Sequence, residues 1–207
     1  MKLTPQLRRF ALILCVTYMV LYVIQVIIRI QHYRVPAIRY PFYFIMEISL
    51  VTAILYCIAL VKVICERKII RVAFYIFLVV HLLDFLTGLA EPPWLVNSRL
   101  YFVSGVLLTL SSIFLLITCF LVKNQAFEKY FKFYACSLTM VLVYNIGTPI
   151  FLSLIFHSDL YYRFYRYLYF IALLPIFAMT YIIYKSAILF KPVDTGTGDM
   201  DEELATY

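Results

Sequence analysis

Long apolar runs alternate with short polar segments along almost the whole chain. Each run has about 21 to 25 residues, and about 20 residues of α-helix, at 1.5 Å per residue, span a hydrocarbon core about 30 Å thick. The pattern therefore predicts an all-α integral membrane protein, with six transmembrane helices in one domain over residues 1–190. The six runs cover approximately residues 10–30, 42–63, 70–90, 100–122, 132–156 and 167–190.

The segments between these runs are short and contain charged residues and several prolines. Short links force consecutive helices to lie antiparallel, so the sequence predicts a compact bundle of six helices. Residues 191–207 differ in composition, because they are acidic and contain Pro192, Gly196 and Gly198. Such a segment is expected to be a flexible tail without a packed core of its own.

The composition agrees with a membrane protein and excludes several other classes. Apolar residues make up 65% of the chain and charged residues 14%, against about 45–50% and about 25% in ordinary soluble domains. The five cysteines lie within or at the ends of apolar runs without a Cys-x-x-Cys pair. They are therefore expected to fill space in helices, with no disulfide framework or zinc site. They are Cys15, Cys57, Cys65, Cys119 and Cys136.

The distribution of basic residues predicts the orientation in the membrane. The net charge is +7, but Lys and Arg flank the apolar runs, where they contact lipid headgroups. We therefore expect the lipid bilayer and not nucleic acid as the partner of these charges. With the N-terminus inside, twelve basic residues face the cytoplasm and six face outward. The excess predicts that both termini are cytoplasmic.

Two carboxylates and a histidine within the apolar runs are candidate site residues, because a charge in the middle of the bilayer costs at least about 2.5–3.5 kcal/mol. Glu47 lies in the outer part of helix 2, and His81 and Asp84 lie in helix 3. His81 and Asp84 are three residues apart and share a helix face, so they are candidates to share a proton or a ligand. A hydrogen-bonded pair that only fixes helix packing is the alternative interpretation.

Helix 5 contains a second group of candidates in the segment Asn145–Pro149. Pro149 removes a backbone donor and clashes with the carbonyl four residues earlier, so we expect a bend there. Interrupted membrane helices often line binding sites, which makes Asn145 and Thr148 candidate ligand contacts. A simple kink relieved by Thr148 or by water is the alternative. Pro175 predicts a second bend in helix 6, and Ser104, Ser111 and Thr118 are expected to permit close helix packing in helix 4.

Three classes of function agree with these features. The favoured class is a small-solute or ion transporter, channel or ligand-binding membrane subunit, because the candidate polar residues of helices 2, 3 and 5 lie at one depth in the membrane. The second is an accessory subunit of a membrane complex with a protein partner. The third is an intramembrane lipid-modifying enzyme that uses His81 and Asp84. No nucleophile, zinc-protease, phosphate-loop or potassium-filter motif occurs, so no catalytic residue, metal site or cofactor is predicted. The predicted cavity is formed by Glu47, His81, Asp84, Asn145 and Thr148.

Overall fold

Helices account for nearly all of the chain that the structure describes. The structure is a computed structural model that describes residues 3–31, 36–64, 66–90, 98–155 and 169–189, except for some side chains near helix ends. No strand occurs in these ranges. The elements are α1 (Pro5–Ile30), α2 (Pro36–Val63), α3 (Lys68–Ala90), α4 (Ser98–Phe120), α5 (Glu128–Ile155), a 3₁₀ turn (Tyr169–Leu173) and α6 (Leu174–Leu189).

Prolines explain where the first two helices begin. The Leu7 amide donates to Thr4 Oγ1 at 3.2 Å, so Thr4 caps α1 and Pro5 takes its first position. A proline is favourable there because a first-turn amide has no partner within the helix. Pro36 takes the same position in α2, which begins six residues before the predicted start and continues through Pro41. Pro41 removes only one backbone hydrogen bond, and the helix tolerates that loss.

The sixth predicted helix is divided into two parts. Residues Tyr169–Leu173 form a 3₁₀ turn, and α6 begins at Leu174. Pro175 therefore lies in the first turn of α6. The sequence had predicted, wrongly, that it lies in the middle of a helix. A first-turn position avoids the clash and the lost hydrogen bond that an interior proline causes. The chain thus changes from a 3₁₀ turn to an α-helix next to Pro175. The apolar span formed by both parts covers Tyr169–Leu189.

The helices form a closed ring in chain order. Each helix packs against the next, and α6 completes the ring by packing against both α5 and α1. Helix α2 also contacts α6, so it is the most enclosed helix of the bundle. We call the half that holds the start of α2 and the end of α3 the outer half, and the opposite half the inner half. Consecutive helices alternate in direction, as the short links predicted.

The core of buried apolar side chains lies mainly in the inner half. Phe74 of α3 is fully buried and contacts Phe131 edge-on at 6.2 Å and Tyr134 in a stacked arrangement at 6.3 Å. Cys15, Cys57 and Cys119 belong to the same core. These three thiols fill space between helices, in agreement with the interpretation of the cysteines as small packing residues.

Two polar contacts hold the inner half together. The Tyr56 hydroxyl on α2 lies 2.6 Å from Ser186 Oγ on α6, and that oxygen donates to the Ile183 carbonyl at 2.6 Å. Tyr56 is therefore the donor to Ser186. At the end of the bundle, the Glu66 carboxylate accepts from the backbone amides of Lys123 and Asn124 at 2.8 and 2.5 Å. This contact joins the α2–α3 link to the α4–α5 link.

The outward faces of the helices are apolar. Phe102 and Ile13, for example, are 71% and 64% exposed. Ser104, Ser111 and Thr118 of α4 instead lie buried, as expected for small residues at a helix–helix contact. Within the described ranges, five helical spans are long and apolar enough to cross a membrane, and they are Pro5–Ile28, Pro41–Val63, Lys68–Thr87, Phe102–Phe120 and Tyr169–Leu189. A multi-pass membrane protein accounts for this pattern.

Candidate functional site

An ionisable pair joins α2 and α3 in the outer half. His81 Nε2 lies 3.1 Å from Glu47 Oε2, within hydrogen-bond and ion-pair distance. The side chains of His81 and Glu47 are only 19% and 13% exposed. The sequence had predicted both residues as candidates, and the structure brings them into direct contact.

The antiparallel packing of α2 and α3 explains why these two residues meet. At 1.5 Å per residue, Glu47 lies about 24 Å above the inner end of α2, and His81 lies about 20 Å above the inner end of α3. The two helices are neighbours in the ring, so the two side chains reach the same level. Phe77, one turn below His81, stacks on its ring with centroids 5.9 Å apart and planes 19° apart. This contact fixes the orientation of the imidazole.

The second oxygen of Glu47 has no such partner. Among the residues that the structure describes, no donor lies within hydrogen-bond distance of Glu47 Oε1, although this atom is buried. A buried carboxyl oxygen without a partner costs about 1–3 kcal/mol, and more when the group is charged. Protonation of this oxygen would not remove the cost, because the new hydroxyl would also need a partner. Glu47 Oε1 can therefore accept a hydrogen bond from an additional molecule or contact an additional ion.

Two stacked tyrosines of α1 lie near the carboxylate. Tyr18 lies within electrostatic range of Glu47 and of Tyr43. It stacks on Tyr22, with ring centroids 6.1 Å apart and planes 9° apart. The Tyr22 hydroxyl donates to the Tyr169 carbonyl at 3.0 Å, which joins α1 to the 3₁₀ turn before α6. The stacked rings of Tyr18 and Tyr22 thus form an aromatic wall on the α1 side of the site.

The sequence prediction did not include these tyrosines. Their spacing carries a signal, because Tyr18 and Tyr22 are four residues apart on α1, and Tyr43 and Glu47 are four residues apart on α2. Residues at this spacing share a helix face. The 19 tyrosines of the chain concealed the signal, since most of them occur at positions typical of a membrane interface.

Asp84 lies on the same helix as His81 but does not form the predicted pair with it. The imidazole contacts Glu47 instead. Asp84 is half-buried, and its backbone carbonyl accepts a hydrogen bond from Thr87 Oγ1 at 2.8 Å. The structure therefore places Asp84 one turn above the pair, toward the outer end of α3.

One of the two candidates on helix 5, Asn145, is not brought to the pair. Asn145 is exposed on the outward surface of α5, next to Val143 and Ile146, which are also exposed. The Thr148 and Pro149 side chains lie outside the described residues. The backbone of α5 is helical through this segment, and the bend at Pro149 stays a prediction. No three His, Cys, Asp or Glu side chains in the described ranges are grouped so that they could hold a metal ion.

Comparisons with protein-family models, with curated proteins and with solved structures found no match for this chain. The geometry of the site therefore has to carry the functional conclusion. That geometry consists of a buried carboxylate–imidazole pair, an oxygen without a partner and an adjacent wall of tyrosines.

Proposed function

We propose that this protein binds a small solute or ion in the outer half of its helix bundle, as a transporter, a channel or a ligand-binding membrane subunit. The observation that carries the proposal is the buried Glu47 Oε1, which has no hydrogen-bond partner among the described residues. A ligand that supplies a donor or a positive charge would remove the cost of this unpaired oxygen. His81 holds the carboxylate in place through its other oxygen.

Stability alone is a weak explanation for such a pair. Burying two ionisable groups costs several kcal/mol each, and well-packed apolar residues of similar volume often give equal or greater stability. Ionisable residues within transmembrane segments commonly mark ligand or proton pathways. The position of the pair within an otherwise apolar bundle therefore supports binding over packing.

The proposal includes six membrane crossings with both termini in the cytoplasm. Helix α5 has 28 residues and packs against α4, α6 and the 3₁₀ turn Tyr169–Leu173. It therefore reaches from the inner end of the bundle to the level at which the last apolar span begins. The first turn of α5 is charged, with Glu128 paired to Lys132, as expected for a helix that starts at the cytoplasmic surface.

Accessibility of single cysteines tests this topology. We expect a membrane-impermeant maleimide to label Asn97→Cys in intact cells, and to label Gln125→Cys and Thr195→Cys only after permeabilisation, because the inner links carry the basic excess. The background protein has its native cysteines replaced by serine or alanine. Labelling of position 195 in intact cells would show that the chain crosses five times. Labelling of position 125 would reverse the orientation.

Native mass spectrometry tests the binding proposal. We expect the purified wild-type protein, after incubation with a low-mass cell extract, to retain a small-molecule or ion adduct that Glu47→Gln loses. The glutamine keeps the size of the side chain and removes its negative charge. Glu128→Gln is the matched control, because Glu128 is a partly exposed carboxylate at the inner end of α5. An adduct that is equal in Glu47→Gln, or no adduct in the wild type, would contradict the proposal.

One observation favours a second candidate function, that of an accessory subunit in a membrane complex. Asn145 is exposed on α5 between apolar neighbours that are also exposed. A polar side chain on the surface of a membrane helix is stabilised by a hydrogen bond to another protein helix. If this candidate is correct, Asn145→Leu will reduce the mass of the native assembly and leave the adduct of the Glu47 site intact.

A further inference from the structure

The unpartnered oxygen and its surroundings also define the chemistry of the ligand. We infer that the Glu47–His81 site takes a small alkylammonium cation, and that binding of this cation releases one proton from the pair. This inference rests on the proposed function and specifies it. Glu47 Oε1 would accept a hydrogen bond from the ammonium group, while Glu47 Oε2 stays in contact with His81 Nε2.

The groups around the site favour an organic cation over a metal cation. A hard metal cation needs about six oxygen ligands, most of them arranged around it by the protein. Glu47 lies close to aromatic side chains instead, with Tyr18 within electrostatic range and Tyr22 stacked on Tyr18. The faces of aromatic rings attract ammonium groups electrostatically. One carboxylate oxygen beside tyrosine rings is thus suited to an N–H donor with a short alkyl group.

The net charge of the Glu47–His81 pair determines whether binding of a cation is coupled to release of a proton. Without ligand, the pair is neutral when it holds one proton, whether that proton resides on Glu47 or on His81. A bound cation would raise the total charge to +1 if the proton stayed. A net charge in an apolar bundle costs several kcal/mol. The site stays neutral only if the proton leaves to solvent, so that Glu47 is ionised, His81 is neutral and the cation is bound.

The other ionisable groups that face this level are few. Tyr18 and Tyr22 approach from α1, Tyr43 from α2 and Asp84 from α3. Among the described residues of α4, α5 and α6, the outer half holds one charged residue, Arg99 at the start of α4, and arginine keeps its proton at neutral pH. Tyrosines keep their protons at neutral pH. Within the part of the chain that the structure describes, Asp84 is therefore the one other group that could supply the proton, and the Asp84→Asn variant distinguishes it from the pair.

Calorimetric titration of the full-length protein with methylammonium chloride tests this inference. Titrations in phosphate and in HEPES buffer, which differ in ionisation enthalpy and contain no small alkylammonium cation, give the number of protons released per bound methylammonium. We expect release of one proton per bound cation. The dissociation constant should then fall about tenfold for each unit by which the pH is raised, over the range in which the pair holds its proton. Glu47→Gln should weaken binding at least tenfold, and Glu128→Gln should behave as the wild type.

Each outcome has a definite consequence. Binding without proton release would overturn the coupling, and tighter binding of sodium than of methylammonium would overturn the ligand class. Release that disappears in Asp84→Asn while binding persists would place the proton on Asp84 and contradict its assignment to the pair. If methylammonium does not bind but the Glu47-dependent adduct is present in native mass spectra, this inference is wrong and the proposed function stands. If that adduct is also missing, the proposed function fails.

Discussion

Replacement of His81 by leucine is expected to destabilise the protein by about 3–5 kcal/mol, the usual cost of removing one partner from a buried ion pair. The remaining Glu47 would be a carboxylate with neither oxygen paired among the described residues. Equilibrium unfolding in mixed micelles measures the change. His81→Gln is the matched variant, because its amide can still donate to Glu47, and we expect it to lose less than half as much.

The double variant Glu47→Leu/His81→Leu completes this prediction. It removes both ionisable groups, so no unpaired charge is left in the bundle. We expect its stability to lie within about 1 kcal/mol of the wild type or above it, as observed when buried ion pairs are replaced by apolar residues. A double variant that is as unstable as His81→Leu would show that the pair does not act as a coupled unit.

The second large effect is expected at Phe74, in the core of the inner half. Phe74→Ala removes a ring that contacts Phe131 and Tyr134 and leaves a cavity. At about 24 cal/mol per Å³, a cavity of about 100 Å³ costs about 2–3 kcal/mol, even though lipid replaces water as the surrounding solvent. Phe102→Ala is the control, since Phe102 is 71% exposed and should change stability by less than about 0.5 kcal/mol. Equal losses in the two variants would contradict the position of the core.

The sequence was sufficient to predict the helices but not all of their ends. Apolar runs of membrane length are visible directly, because hydrocarbon and backbone hydrogen bonding together leave few alternatives to a helix. The start of α2 at Pro36 was missed, because proline was interpreted as a helix breaker and not as a first-turn residue. Pro175 was placed in the middle of a helix because the apolar run 167–190 was taken as one helix, whereas it lies at the start of α6.

The partner of His81 shows why the site was predicted only in part. Asp84 shares its helix face, so sequence spacing favoured it. In the structure the partner of His81 is Glu47, because α2 and α3 are antiparallel neighbours and place these two residues at one level. The rotation of each helix about its axis decides which side chains face one another, and packing sets that rotation. For the same reason the sequence did not show that Asn145 faces outward on α5.

The central claim is that the Glu47–His81 pair serves binding and not packing. The most direct test is a native mass spectrum of the Glu47→Leu/His81→Leu variant, recorded on the sample whose unfolding has been measured. We predict a protein of wild-type stability that has lost the adduct of the wild type. A stable double variant that retains the same adduct would contradict the claim, because the ligand would then bind without the pair.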